Sequence, residues 1–291
     1  MASLAEWIEG ARPRTLPAAV APVLAGAAIA AFYGARDWGV VALCLVVALA
    51  LQVGVNYAND YSDGVRGTDA DRVGPMRLVG SGAASPGAVK GAAFASFGLA
   101  ALAGLVVVAL SGHWWLLLLG AASILAAWFY TGGSRPYGYL GLGELFVFIF
   151  FGLVAVGGTI YVVADRVPVA GWLTAAAIGL LASAILVANN LRDIEGDASS
   201  GKLTLATRMG DAGTRRFFVV IVVAAFVLVV VVAALTTWWA LLALAGAIPA
   251  SVGMAAVTSG ATGRGLIAVL RQTGIAELFV GLGLLIGSLV A

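Results

Sequence analysis

The chain has 291 residues, of which 62% are apolar and only 10% charged, with a formal net charge of +2. A soluble domain carries roughly 25% charged residues, so lipid must solvate most of this surface and a water-soluble globule is excluded. His113 is the only histidine and Cys44 the only cysteine. That excludes a disulfide, a zinc site and an imidazole-rich active site, and leaves oxygen ligands, hence magnesium or calcium, for any bound metal.

The N-terminal stretch carries Glu6, Glu9, Arg12, Pro13 and Arg14 without a small-residue cleavage pattern, so no removable signal is expected. Apolar runs long enough to span a hydrocarbon core, about 20 residues each, follow at 16–34, 38–58, 88–110, 113–131, 142–163, 168–189, 215–236, 238–258 and 272–290. Two connections are long and polar, 59–87 and 190–214. The expected fold is an all-α polytopic membrane protein, a bundle of about nine transmembrane helices forming one membrane-embedded domain over 1–291.

Orientation follows from the basic residues. In this topology the N-terminal tail and the connections after spans two, four, six and eight share one side. That side holds every Lys and Arg except Arg36 and Arg166. The positive-inside rule makes it cytoplasmic, with the N-terminus. Eight of the fourteen acids (Asp60, Asp63, Asp69, Asp71, Asp193, Glu195, Asp197 and Asp211) lie in or beside the same two long connections.

The first connection opens with Asn56, Asn59, Asp60 and Asp63, the second with Asn189, Asn190, Asp193 and Asp197. Asn56, Asp60 and Asp63 are spaced i, i+4 and i+7, and Asn189, Asp193 and Asp197 i, i+4 and i+8, so each set falls on one helix face. Each is followed by basic residues, Arg72 and Arg77 in one unit (56–72) and Lys202 in the other (189–202). An ionised carboxylate near the membrane interior costs about 2.5–3.5 kcal/mol on insertion scales. Four facing one central cavity would also repel one another unless a cation lay between them. Opposed carboxylates hold hard divalent cations that bridge to substrate phosphates. The interspersed Arg and Lys suit a ligand with negative charge of its own. A magnesium-bound diphosphate meets both demands.

These clusters resemble the paired aspartate-rich motifs of the UbiA superfamily of intramembrane aromatic prenyltransferases. The segments Ala11-Arg12-Pro13-Arg14-Thr15-Leu16-Pro17, Gly74 to Ser81, Tyr130 to Glu144 and Leu270-Arg271-Gln272-Thr273-Gly274 are similar to its 1,4-dihydroxy-2-naphthoate branch, which serves menaquinone synthesis. Gly64 stands where the commoner spacing of the first motif has an acid, which here is Asp63. The resemblance implies transfer of a polyprenyl group from polyprenyl diphosphate to 1,4-dihydroxy-2-naphthoate, in a bacterial cell membrane, with the site on the cytoplasmic side. It implies Mg2+ held by Asp60, Asp63, Asp193 and Asp197, with Lys202 and Tyr139 also catalytic. Arg72, Arg77 and Arg192 would bind diphosphate, and Asn56, Asn59, Tyr130, Arg135, Asn189 and Asn190 would complete the substrate site. Tyr57, Tyr61, Tyr130 and Tyr139 are candidates to shield an allylic cation. Other acceptors (4-hydroxybenzoate, homogentisate), a cytidine-diphosphate-alcohol phosphotransferase and a secondary transporter are the rival readings. No nucleic-acid partner is expected.

Overall fold

The structure, a computed structural model, describes residues 2–67, 76–134 and 136–291. Arg72 and Arg135, with Asp69 and Asp71, lie outside the described residues. Eleven helices are named here in chain order: α1 (Leu4–Gly10), α2 (Pro17–Phe32), α3 (Trp38–Arg66), α4 (Pro86–Ser111), α5 (Leu116–Phe129), α6 (Gly143–Ala164), α7 (Val169–Arg192), α8 (Ile194–Ser199), α9 (Leu205–Leu235), α10 (Trp238–Thr258) and α11 (Gly263–Val290). No strand occurs among the described residues.

Local chemistry sets the helix ends. The Ser3 hydroxyl and the Glu6 carboxylate form a reciprocal capping box on α1. Asp37 caps α3 by accepting from the Val40 amide at 3.0 Å. Ser85 and Pro86 open α4, and Thr204 caps α9. Gly67, at φ 73°, supplies the left-handed residue that ends α3.

Among the described residues seven helices are long and apolar enough to cross a bilayer, and the N-terminal segment with α2, bent by 48°, makes eight if the pair is taken as one span. All nine expected runs fall on helices, but a count of nine spans is not reached on length. α5 has 14 residues, about 21 Å at 1.5 Å per residue, short of a hydrocarbon core of about 30 Å. Several boundaries also move. α3 runs to Arg66 rather than 58 and α11 begins at Gly263 rather than 272, whereas α9 opens at Leu205 with a short piece that breaks at Gly210 (φ 70°, ψ 174°), so its long arm starts near the expected 215. Helical hydrogen bonding continues where hydropathy has already turned polar, because polar side chains at the interface do not interrupt the backbone ladder. The motif carboxylates Asp60 and Asp63 therefore project from a helix, not from a loop.

α11 is the central strut, packed against α2, α7 and α10. Its contact with α2 depends on Gly281, where an added methyl would stand 2.7 Å from the Ala21 carbonyl oxygen. α3 pairs with α4, and α5 packs against these two. Within α6 the backbone widens to a π-helical stretch over Phe148–Val154, and Phe146, Phe150 and Phe151 line the interior hollow. A bulkier residue at Gly281 would force α2 and α11 apart. Gly281→Val is expected to cost about 1–3 kcal/mol, read as a lowered thermal unfolding midpoint in detergent.

Candidate active site

A cavity of about 910 Å3 occupies the interior between α2, α3, α4, α5, α6, α7 and α11. One end is walled by apolar side chains such as Val23, Leu51, Leu119, Phe150 and Val154, and the other by Asn, Asp, Arg and Lys. Both motif units reach that polar end.

From α3 come Gln52, Asn56, Asn59 and Asp63. Asn56 is nearly fully buried, and its amide donates to the Ala11 carbonyl at 2.9 Å and to the Thr15 hydroxyl at 3.0 Å. It thereby ties the N-terminal segment to α3. Asn59 accepts from the Thr131 hydroxyl at 2.7 Å. Asp63 accepts from the Tyr139 hydroxyl at 2.9 Å and pairs with Arg77 at 3.5 Å.

The second unit is built where α7 gives way to α8. Arg192 grips Asp193 with two contacts of 2.6 Å and donates to Asn189 at 2.9 Å. Asn190 donates to the buried Glu144 carboxylate at 2.9 Å, which ties α7 to α6. Lys202 stands 3.8 Å from Asp197, and its amide donates to the Asp197 carbonyl at 2.8 Å.

Tyr139 joins the units. Its hydroxyl is on Asp63, the Lys202 ammonium lies 4.6 Å from its ring centre, and its carbonyl accepts from the Leu203 amide at 3.0 Å. The Arg66 guanidinium also sits over the ring and donates to the carbonyls of Thr131 and Gly133, pinning the 131–141 segment to α3. Burial and the adjacent Asp63 carboxylate push the Tyr139 phenol well above its ordinary value, so it stays a protonated donor. Tyr130 is pushed up too, by burial first and Glu144 second.

The donor set suits a hard cation. Asp63, Asp193 and Asp197, with the Asn amides, offer only oxygen to the cavity, and Arg77, Arg192 and Lys202 sit against these acids. Among the described residues no three acidic, His or Cys side chains converge into a ready-made cage. That fits magnesium, which usually takes one or two carboxylates and completes its shell with water and substrate phosphates. The basic groups that now balance the acids can turn to those phosphates.

Three expected site residues are placed elsewhere. Asp60 does not reach the cavity. It is 1% exposed, and its two oxygens accept from the amides of Leu78 at 2.8 Å and Val79 at 2.9 Å. The reason is helical phase: Asp60 lies about 100° round the axis from Asn59, facing the returning chain instead of the hollow. Tyr57 donates to the Trp7 carbonyl at 2.8 Å, and Tyr61 stacks on Trp128, so neither shields the cavity. The expected Tyr130, Tyr139, Arg77, Asn189, Asn190 and Lys202 all line it. Not foreseen as site residues were Arg12, Arg14, Gln52 and Arg271, which line it as well. The signal for the arginines was their place in the Arg-Pro-Arg-Thr and Leu-Arg-Gln-Thr segments, next to apolar runs and close to the bilayer.

Replacing Tyr139 by Phe removes the hydrogen bond to Asp63 and keeps the ring under Lys202. A hydrogen bond to a charged group contributes about 1.5–3 kcal/mol, so kcat/KM should fall roughly tenfold to a hundredfold. Tyr139→Ala should fall further, since it also releases Lys202; steady-state kinetics of both variants checks the order.

The chain matches the UbiA prenyltransferase family over residues 19–286. It is 54% identical over 281 residues to the 1,4-dihydroxy-2-naphthoate octaprenyltransferase of Mycobacterium tuberculosis, covering 96% of this chain and 94% of that protein. To the Escherichia coli protein of the same name it is 44% identical over 217 residues, 72% of this chain and 70% of that one. Among solved structures, a UbiA homologue from Aeropyrum pernix K1 superposes with a TM-score of 0.70 at 18% identity, over 94% of this chain and 97% of that one. A UbiA homologue from Archaeoglobus fulgidus bound to GPP and Mg2+ gives 0.65 at 13% identity, over 96% and 99%. The helical frame is thus shared with those structures, and the family match with the 54% identity makes this chain a member of the UbiA prenyltransferase family.

Proposed function

We propose that the protein transfers a polyprenyl group from polyprenyl diphosphate to 1,4-dihydroxy-2-naphthoate, releasing diphosphate and carbon dioxide and giving a demethylmenaquinol. The observation that carries this reading is the single cavity with two unlike ends. An apolar length suits an isoprenoid tail, and the end bearing Asp63, Asp193, Asp197, Arg77, Arg192 and Lys202 suits a diphosphate. The names and identities of the mycobacterial and enterobacterial relatives support the acceptor.

Asp63, Asp193 and Asp197 are the residues that would hold Mg2+, which when bound neutralises the diphosphate and stabilises its departure. Arg77, Arg192 and Lys202 exchange their carboxylate partners for phosphate oxygens. The bond from the allylic carbon to the diphosphate oxygen breaks, with its electron pair leaving on the diphosphate. The ring carbon bearing the carboxylate attacks the allylic carbon. The bond to the carboxyl carbon then breaks, its electron pair restores the aromatic ring, and carbon dioxide departs. No ring proton has to be removed, consistent with a site built without histidine. Tyr130 and Tyr139 line the cavity, where an allylic cation needs shielding from water. The two acid-bearing units belong to one membrane-embedded domain, with the polar end of the cavity on the cytoplasmic side of the bacterial cell membrane.

Purified protein in detergent, given Mg2+, a polyprenyl diphosphate and 1,4-dihydroxy-2-naphthoate, should release carbon dioxide and diphosphate in equal amounts. EDTA should stop turnover. Asp193→Asn and Asp197→Asn should each lower kcat/KM by a factor of about 100 or more, as loss of a transition-state electrostatic contact does, while the thermal midpoint holds. Preferential prenylation of 4-hydroxybenzoate in a competition assay would overturn the acceptor assignment.

A further inference from the structure

Asp60 belongs to the first acidic motif by sequence, yet its surroundings describe a different task. Both carboxylate oxygens are occupied by backbone amides of successive residues, Leu78 and Val79. The residue just before these two is Arg77, whose side chain lines the cavity and reaches Asp63. The segment is closed into a compact turn by the Ser81 amide on the Arg77 carbonyl at 2.9 Å and the Ala84 amide on the Leu78 carbonyl at 3.0 Å. It is also seated by packing. Leu78 is fully buried against Gly10 and Val79 lies against Gly64, where an added methyl would come within 2.5 Å of a Val79 methyl.

We propose that Asp60 is a positioning residue: it clamps the Leu78 and Val79 amides to α3 and thereby holds Arg77 at the diphosphate end of the cavity. The proposal rests on the reading of that end as a diphosphate site. Clamp and target are one helical turn apart on α3, Asp60 holding the chain and Asp63 receiving the guanidinium. Only a carboxylate serves both amides. An asparagine has one acceptor and would turn an NH2 group against the second N–H, and charge-assisted bonds to backbone amides are the stronger kind. The side chain cannot swing to a metal without releasing both amides, and an amide left unpaired in a buried setting is costly.

The test compares Asp60→Asn, Asp63→Asn, Arg77→Ala and the Asp60→Asn/Arg77→Ala double variant of the full-length protein. Geranyl diphosphate binding is measured with saturating Mg2+, and the Mg2+ midpoint with saturating geranyl diphosphate. Asp60→Asn should weaken geranyl diphosphate binding about tenfold, leave the Mg2+ midpoint within about twofold, and add almost nothing once Arg77 is absent, as coupled residues do. Asp63→Asn should move the Mg2+ midpoint. Hydrogen exchange should show the Leu78 and Val79 amides deprotected in Asp60→Asn and protected in Asp63→Asn. Should Asp60→Asn fail to fold, Gly64→Ala, which displaces Val79 without touching a carboxylate, should reproduce the weakened binding and the unchanged midpoint. The proposal is overturned if Asp60→Asn shifts the Mg2+ midpoint as Asp63→Asn does, or if its effect multiplies with that of Arg77→Ala. Wild-type protein that bound no geranyl diphosphate would overturn the diphosphate reading as well.

Discussion

The hydrogen bond from the Tyr139 hydroxyl to Asp63 is where the two halves of the site meet. Carboxylates on α3 and on the α7–α8 junction belong to segments far apart in sequence, and like charges have no reason to converge. The 131–141 segment gives them one. It is pinned to α3 through Arg66 and to the second unit through Leu203, with Tyr139 between Asp63 and Lys202. Around that junction three acids face cations, Asp63 with Arg77, Asp193 with Arg192 and Asp197 with Lys202. In a low-dielectric surrounding this pairing is what lets so many charges share a small volume. It also keeps the ligands in place for a partner that carries both cation and anion.

Much of this was legible in the sequence, for stated physical reasons. Scarce charge forced a membrane fold, and the i, i+4 and i+7 or i+8 spacings marked two helix faces that do flank one cavity at Asn56, Asp63, Asn189, Asp193 and Asp197. Tyr139 and Lys202, taken from flanking segments, also meet at that end. What the spacing could not resolve was helical phase to within one residue. Asp60 and Asp63 differ by about 60° in direction, enough to send one into the returning chain and the other into the cavity. Which tertiary neighbour receives each face is a packing outcome that a single helix does not encode. The same limit separates Tyr57 and Tyr61, held by Trp7 and Trp128, from Tyr130 and Tyr139.

Hydropathy misled in a consistent direction. It ended α3 too early and began α11 too late, because it reports solvent preference and not backbone continuity. The arginines at 12, 14 and 271 were read as orientation signals and as parts of the family-like segments, not as site residues, although they line the cavity. A basic residue near a membrane boundary serves topology and ligand attraction by the same charge, so composition alone does not distinguish the two.

The short α5 has a mechanical consequence. Its 14 residues give a hydrophobic height several ångströms less than that of its neighbours α3 and α4. Bilayers accommodate such mismatch by thinning locally. α5 is also the flank where Leu117, Gly120 and Ile124 border the apolar end of the cavity. The apolar end of the cavity is thus bounded on this side by a wall shorter than those of α3 and α4.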